Sequence, residues 1–286
     1  MKKYFCFGGT NIDIQALIAD KVAMYESNPS KVRITYGGVA RNIARAIGNF
    51  AFCELVSAFS HSSLFVPLLE DLHSHNVSTS LSKIYGDEGN SLYIDIVDKD
   101  GVLVGASDMS LVERLAPKDL EEACALTSGN DIIILDTNLS HAAFEYILTH
   151  AKGYKAVDAV SSKKLSRVLD LMHLADLVKV NTFECEMLKG TAINDCIITK
   201  GNGAIVRYLG KTYSLSHRTV EAVNPTGCGD TFFGTFLANL EKGTENALTL
   251  AVKAATASAL SIEAVPSKEE IDGIDEAALG IVWEKR

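Results

Sequence analysis

The chain has 286 residues, 47% of them hydrophobic, which is enough to fill the core of one large α/β domain or two small ones and argues against a disordered protein. Its formal net charge of -9, without a basic stripe, argues against nucleic acid as a partner and favours a small polar substrate. Six scattered cysteines without a C-x-x-C pair, a start too poor in apolar residues for a signal peptide, and no apolar run near ~20 residues together predict a cytoplasmic protein with no membrane contact.

Short apolar runs alternate with helical patterns along the chain. The runs at 4–7, 53–58, 131–135, 156–160, 177–180 and 196–199 are typical of buried strands. Helical spacing occurs between them at 39–50, 64–75, 118–126, 141–151 and 164–173, and later near 229–242 and 246–261. The alternation predicts an α/β fold with a mostly parallel central sheet and helices on both sides, as one domain over 1–286.

Two pieces interrupt this alternation. Residues 90–97 and 102–106 flank Asp98-Lys99-Asp100-Gly101, which is a hairpin signal, and residues 14–36 are too long for an ordinary connection. We expect the segments at about 14–36 and 90–107 to form a small β lid over one edge of the sheet. A second hairpin is predicted at 204–215.

Two glycine-containing segments near the N-terminus are candidates for substrate binding. Asp13 follows the first strand, where ligands commonly bind in open α/β sheets, and its carboxylate could accept two sugar hydroxyls or could cap its own turn. Gly37-Gly38 opens a helix that carries Asn42, whose amide offers both a donor and an acceptor to a diol. A glycine start to a packed helix would give the same pattern.

Two segments at later strand ends are candidates for the nucleotide side. Asn181 and Glu184 stand at the spacing of a capping box, and the alternative is that Glu184 contacts the water shell of Mg²⁺. Thr199-Lys200-Gly201 offers a cation and a glycine at a strand end, which suits phosphates or ribose, although a plain hairpin turn would look the same.

The segment 224–240 is the most informative part of the sequence. Thr226-Gly227-Cys228-Gly229 can turn its backbone N–H groups into an anion-binding nest, and the apolar spacing that follows predicts a helix. Asp230 in the first turn could take a proton from a hydroxyl that attacks a bound phosphate, or could merely complement the helix dipole.

Other chemistries lack their motifs in this sequence. There is no G-x-x-x-x-G-K-[ST] loop, no G-x-G-x-x-G after the first strand as a nicotinamide dehydrogenase would need, and no G-x-S-x-G elbow. His73 and His75 are the one close histidine pair, and no third ligand stands nearby.

These motifs, in this order along nearly the whole chain, resemble those of the ribokinase-like (PfkB) carbohydrate and nucleoside kinases. The resemblance implies a ribokinase-like three-layer α/β/α sandwich, ATP with Mg²⁺, and transfer of the γ-phosphate to a primary alcohol. It implies that Asp230 is the catalytic base and that the anion hole is formed by Gly227, Cys228 and Gly229. The residues that would bind the substrate are Asp13, Gly38, Asn42 and Asn138. Those that would bind ATP are Asn181, Thr199, Lys200, Gly201 and Thr226, and Glu184 would contact Mg²⁺ through water. A non-catalytic sugar-binding protein on this fold is the alternative of another class, although it would lose the base, and Asp230 is present.

Three stretches resemble the pseudouridine kinase branch of that family: 27–29, 92–96 and 106–109. They suggest a ribosyl substrate phosphorylated at its 5′ hydroxyl, with Tyr93 and Ile94 of the lid covering the base; other sugars, nucleosides or sugar phosphates are the alternatives. Asn224-Pro225 stands where the family commonly has Asp-Thr, which makes activation by a monovalent cation doubtful. Exposed lid edges also predict a homodimer through the lid.

Overall fold

The computed structural model describes residues 2–86, 91–224 and 226–284. Asn90, at the start of the second predicted lid segment, and Pro225, in the loop before Asp230, lie outside these residues.

The strands, in chain order, are β1 (Tyr4–Phe7), β2 (Asn11–Leu17), β3 (Lys31–Gly37), β4 (Cys53–Val56), β5 (Ala58–Phe59), β6 (Val77–Ser78), β7 (Lys83–Ile84), β8 (Leu92–Asp98), β9 (Gly101–Asp108), β10 (Ile132–Asp136), β11 (Tyr154–Asp158), β12 (Leu177–Asn181), β13 (Asp195–Lys200), β14 (Gly203–Tyr208), β15 (Lys211–Ser216) and β16 (Val282–Glu284).

Helices cover both faces of a large central sheet. They are α1 (Val39–Gly48), α2 (Phe65–Ser74), α3 (Ser110–Glu113), α4 (Pro117–Ala125), α5 (His141–His150), α6 (Ser162–Leu165), α7 (Thr182–Met187), α8 (Cys228–Ala238), α9 (Thr244–Leu260), α10 (Lys268–Gly273) and α11 (Glu276–Leu279). The central sheet has the order β16-β15-β14-β13-β12-β11-β10-β1-β4-β6. Its strands from β6 to β13 pair in parallel, and β14, β15 and β16 add an antiparallel edge.

The buried parallel strands follow from the sequence, because near-continuous apolar runs can be covered on both faces. In β10, for example, all five residues are buried, and the run ends in Asp136. The parallel pairing brings the carboxyl ends of β1, β10, β11 and β12 to one edge. That edge carries the candidate site.

The helix predicted at 164–173 was wrong as one continuous element. The structure has α6 and then a separate 3-10 helix, Leu169–Leu174. Buried Leu165, Val168 and Leu171 repeat every three residues, and this spacing suits a 3-10 turn as well as an α-helix.

The smaller sheet, which we call the lid, has the order β3-β2-β8-β9. It begins earlier than predicted, because Asn11 already pairs with Gly37. Asp13 therefore lies on a lid strand, opposite Thr35 and Tyr93, which excludes the alternative that it caps a turn of its own.

Strand alternation gives the lid one polar and one apolar face. The inner face carries Asp13, Gln15 and Asp95, and the outer face carries apolar residues that are 44–60% exposed: Val32, Ile34, Ile94 and Val104. Since adjacent strand residues point to opposite faces, Ile94 cannot cover a ligand together with Tyr93, and that prediction was wrong for Ile94.

Candidate active site

Gly227 allows α8 to begin against the loop that follows α9. Its φ of 84° is left-handed, and a Cβ on it would lie 2.5 Å from the carbonyl oxygen of Ala264, so a side chain here would be both strained and obstructed. Thr231 N–H donates to the Gly227 carbonyl at 2.8 Å and closes the first turn. The N–H groups of the predicted anion hole, Gly227, Cys228 and Gly229, therefore stand at the helix N-terminus, where an anion is favoured.

Asp230 lies in this first turn and contacts α1. Asn42 Nδ2 donates to its Oδ2 at 2.9 Å. Removal from water raises the pKa of Asp230 to about 7; the Lys179 ammonium and the Asn42 amide oppose the rise, and the carboxylate of Asp158 adds to it. A carboxylate with a pKa near 7 is suited to accept a proton at neutral pH.

Lys179 stands beneath the anion hole. Its Nζ lies 2.8 Å from Asp158 Oδ2, and a Cβ on Gly229 would lie 3.0 Å from that Nζ. Burial alone would lower the pKa of Lys179, but the carboxylates of Asp158 and Asp230 outweigh it and raise the pKa, so the side chain stays charged. A fixed cation therefore supplements the backbone N–H groups at this end of α8.

One buried carboxylate, that of Asp136, joins three segments near the site. Asp136 Oδ2 accepts from Gly9 N and Ala40 N at 2.8 Å each, and Oδ1 accepts from Asn138 N at 2.9 Å. Burial raises the pKa of Asp136 despite these bonds. The carboxylate holds the turn after β1, the start of α1 and the end of β10 together.

Gly38 permits this junction. It has φ 93°, and a Cβ on it would lie 2.4 Å from the Gly9 carbonyl oxygen. Asn138, also predicted on the substrate side, is buried beside Gly9 and accepts a hydrogen bond from Lys164 Nζ.

The amide of Asn42 is oriented by its neighbour. Arg41 Nη1 donates to Asn42 Oδ1 at 3.2 Å, which leaves Nδ2 to face Asp230. The Arg41 guanidinium is itself held by Asp71, with Nη2 to Oδ2 at 2.5 Å. The chain of contacts runs from Asp71 through Arg41 and Asn42 to the candidate base.

Asp13 extends the site under the lid. It accepts a hydrogen bond from Asn11 Nδ2 and does not cap its own turn. Burial raises the pKa of Asp13 to about 7, against the opposing charge of Arg41 and the bond from Asn11. A carboxyl here can accept from a sugar hydroxyl when ionised and donate to it when protonated.

A cavity of about 470 Å³ opens on the other side of the anion hole. Its lining includes the predicted nucleotide residues Asn181, Thr199, Lys200 and Gly201, and also Cys228 and Gly229. Apolar side chains of α8 and α9, including Phe232, Val252 and Ala255, form its floor. Its size and its mixture of apolar floor and convergent polar groups are typical of a ligand site. Thr226 is exposed outside this lining.

The capping box predicted as the alternative role of Glu184 is present. Glu184 Oε2 accepts from Asn181 N at 2.8 Å and Oε1 from Asn181 Nδ2 at 2.7 Å, while Asn181 Oδ1 accepts from Phe183 N and Glu184 N. The magnesium role stays a prediction. Within residues 2–86, 91–224 and 226–284, no group of three or more His, Cys, Asp or Glu is arranged to hold a metal.

Asn224 bridges two loops with its neutral amide. Nδ2 donates to the Ile262 carbonyl at 3.0 Å, and Oδ1 accepts from Thr226 N at 3.0 Å. A donor thus occupies a carbonyl oxygen that a cation could otherwise approach.

Sequence reasoning missed Lys179, Asp158, Asp136 and Arg41. The signal was available for three of them: Asp136 and Asp158 end apolar strands, and Lys179 is a charge inside the apolar run of β12. Polar residues at the carboxyl ends of parallel strands meet at one edge. Nothing in the sequence pairs Arg41 with Asp71.

Comparison with known proteins finds a family model and relatives that match this chain. The family model described as pfkB family carbohydrate kinase matches residues 1–271. The pseudouridine kinase of Escherichia coli (strain K12) is 30% identical over 192 residues, 65% of this chain and 61% of that kinase, so the match spans about three fifths of that relative's length.

Solved structures agree in fold. The carbohydrate kinase from Agrobacterium tumefaciens superposes with a TM-score of 0.80 at 21% identity, over 99% of this chain and 100% of that one. Arabidopsis thaliana ribokinase complexed with ribose and ATP gives a TM-score of 0.75 at 15% identity, over 95% and 98%. The predicted ribokinase-like sandwich with a small lid is confirmed. No helix of the described part of the chain could span a membrane.

Proposed function

The chain belongs to the pfkB family of carbohydrate kinases, and from this premise we propose that it is an ATP-dependent kinase acting on the primary 5′ hydroxyl of a ribosyl substrate, with pseudouridine as the preferred acceptor. One observation carries the proposal. Asp230, whose pKa is raised to about 7, stands in the first turn of α8 beside the N–H groups of an anion hole.

The base and the anion hole act on different groups in the reaction. Asp230 accepts the proton of the attacking hydroxyl, which makes that oxygen a better nucleophile. The N–H groups of Cys228 and Gly229, with the Lys179 ammonium, stabilise negative charge that develops on the transferred phosphoryl group. Asn42 holds Asp230 in position through its bond at 2.9 Å.

The residues present fit a nucleotide in the cavity of about 470 Å³. Asn181, Thr199, Lys200 and Gly201 lie along its wall, with Thr226 nearby as a further contact, and Glu184 would orient metal-bound water. ATP with Mg²⁺ supplies the γ-phosphoryl group and neutralises its charge. The phosphate end would face the α8 N-terminus, where Cys228 and Gly229 line the same cavity.

The acceptor would lie between Asp230 and the lid. Asp13, Asn42, Gly38 and Asn138 would hold the ribose, and Tyr93 on the inner face of the lid would cover the base. The likeness to E. coli pseudouridine kinase supports this choice of substrate. Another sugar or nucleoside is the alternative within the family, and a non-catalytic sugar-binding protein is the alternative outside it.

ADP release with different acceptors tests the proposal. We expect kcat/KM to be highest for pseudouridine, above uridine, ribose and fructose 6-phosphate under one condition. If ribose or the sugar phosphate reacts better, the pseudouridine assignment is wrong and the kinase assignment stands. If no acceptor gives ADP above the rate of an Asp230→Asn variant, the protein is not a kinase of these substrates.

The lid would also join two copies of the chain. Val32, Ile34, Ile94 and Val104 form an apolar outer face that is about half exposed. Covering such a face with an identical one in a twofold dimer removes it from water.

A further inference from the structure

Asp95, on the inner face of the lid, has one carboxylate oxygen that accepts no hydrogen bond from the described residues. The residue is 6% exposed, and its Oδ2 accepts from Gln15 Nε2 at 3.1 Å. Its Oδ1 is fully buried and has no hydrogen-bond partner within the part of the chain that the structure describes. Burying a carboxylate oxygen without a hydrogen-bond donor destabilises the folded state. A buried oxygen of this kind is therefore a candidate for binding a donor from a ligand.

In the other buried acids of the described chain, both carboxylate oxygens have donors. Asp98, on the same strand, accepts from Asp100 N on Oδ1 and from Val22 N on Oδ2. Both oxygens also accept hydrogen bonds in each of the remaining cases: Glu54, Asp131, Asp136, Asp158, Glu184 and Asp195. Asp95 is therefore the exception among them.

The register of the lid places Asp95 beyond the ribose position. Arg33, Gln15, Asp95 and Gly105 form one row across the four strands. The neighbouring row toward the central sheet contains Asp13, and rows two residues apart are about 7 Å from each other. A ribose held at Asp13 with its 5′ hydroxyl toward Asp230 would present its base to the row of Asp95.

We propose that Asp95, aided by Gln15, is a specificity residue that accepts a hydrogen bond from the ring N1–H of pseudouridine. An ionised carboxylate can only accept, so its partner must be a donor. Pseudouridine carries its sugar on carbon and keeps a free N1–H, whereas in uridine N1 bears the sugar. This inference rests on the proposed function, because it requires a nucleoside acceptor.

The wild-type enzyme alone gives the first test. N1-methylpseudouridine carries a methyl group in place of the donor hydrogen in question, and a missing hydrogen bond to a carboxylate lowers kcat/KM by roughly tenfold to a hundredfold. We expect this loss relative to pseudouridine, and a similar loss with uridine. Equal kcat/KM for pseudouridine and its N1-methyl derivative would overturn the inference.

The Asp95→Ala variant gives the second test. The preference for pseudouridine over its N1-methyl derivative should fall to within about threefold, through a higher KM for pseudouridine with little change in kcat. Asp100→Ala, which removes a carboxylate from a 64% exposed position of the same lid, should keep the wild-type preference. An Asp95→Ala variant that keeps the preference, or that loses ribose phosphorylation as strongly, would show that Asp95 only supports the lid.

The two proposals can fail separately. A wild-type enzyme that prefers ribose to every nucleoside refutes the proposed substrate and the inference with it. A wild-type enzyme that prefers pseudouridine and an Asp95→Ala variant that discriminates equally well refute the inference alone.

Discussion

Asp230→Asn should lower activity and raise stability at the same time. Removing a general base commonly costs ~10²–10⁴ in kcat. In the wild-type protein, folding raises the pKa of Asp230 from 3.8 to about 7, so the folded state binds this proton more tightly than the unfolded chain. By linkage, this contribution favours the folded state at low pH and is lost as the pH rises from about 4 to about 7.

The size of the stability change follows from the pKa shift of Asp230. Three pKa units correspond to about 4 kcal/mol at 1.36 kcal/mol per unit, which is an upper limit. Asp230 is partly exposed and lies near Lys179, so we expect the amide to stabilise the protein by about 1–2 kcal/mol at pH ~8 and by roughly two fifths of that at pH ~5.

Two assays on the same variant test this reasoning. The free energy of unfolding is measured in urea at both pH values, and kcat is measured at saturating substrate. Asp20→Asn, at an exposed position of the chain, is the control for losing one negative charge. A kcat above half of the wild-type value would show that Asp230 is only a helix-terminal charge, and a loss of stability at pH ~8 would refute the electrostatic argument.

Three further outcomes are expected. Glu184→Gln should chiefly raise the Mg²⁺ concentration needed for half-maximal activity; a fall in melting temperature alone would mean that the capping box is its whole role. Potassium chloride should change activity no more than sodium chloride at equal ionic strength, because the Asn224 amide already occupies the Ile262 carbonyl, and a large K⁺-specific stimulation would contradict this. Light scattering should give twice 30.8 kDa for the wild type and about half that for Ile34→Asp; a wild-type monomer at micromolar concentration would refute the lid dimer.

The sequence predicts the central sheet well because its strands are continuous apolar runs with polar ends. It also predicts that Asp230 and Gly227 meet at a helix start, since the glycines, the acid and the helix are neighbours along the chain. Local patterns of this kind need no knowledge of the tertiary structure.

Contacts between residues far apart along the chain could not be predicted from the sequence. The contact of Asn42 with Asp230 joins residues 188 positions apart, and the distinction of Asp95 from Asp98 depends on which donors surround each one. The lid faces were also misjudged at Ile94, because the register with β2 decides which neighbour of Asp13 shares its side.

The junction at Gly9 and Gly38 is one fulcrum about which the lid could rotate. Both chain crossings into β2 and out of β3 meet there, and Asp136 ties Gly9 to the central sheet. At about 3.3 Å per residue, Asp13 lies ~13 Å from this fulcrum and Gln15 ~20 Å, so a ~10° rotation would displace them by ~2 Å and ~3.5 Å. A displacement of ~2 Å is enough to break a hydrogen bond, so lid opening would release the contacts of both rows, and the row of Asp95 would travel further than that of Asp13.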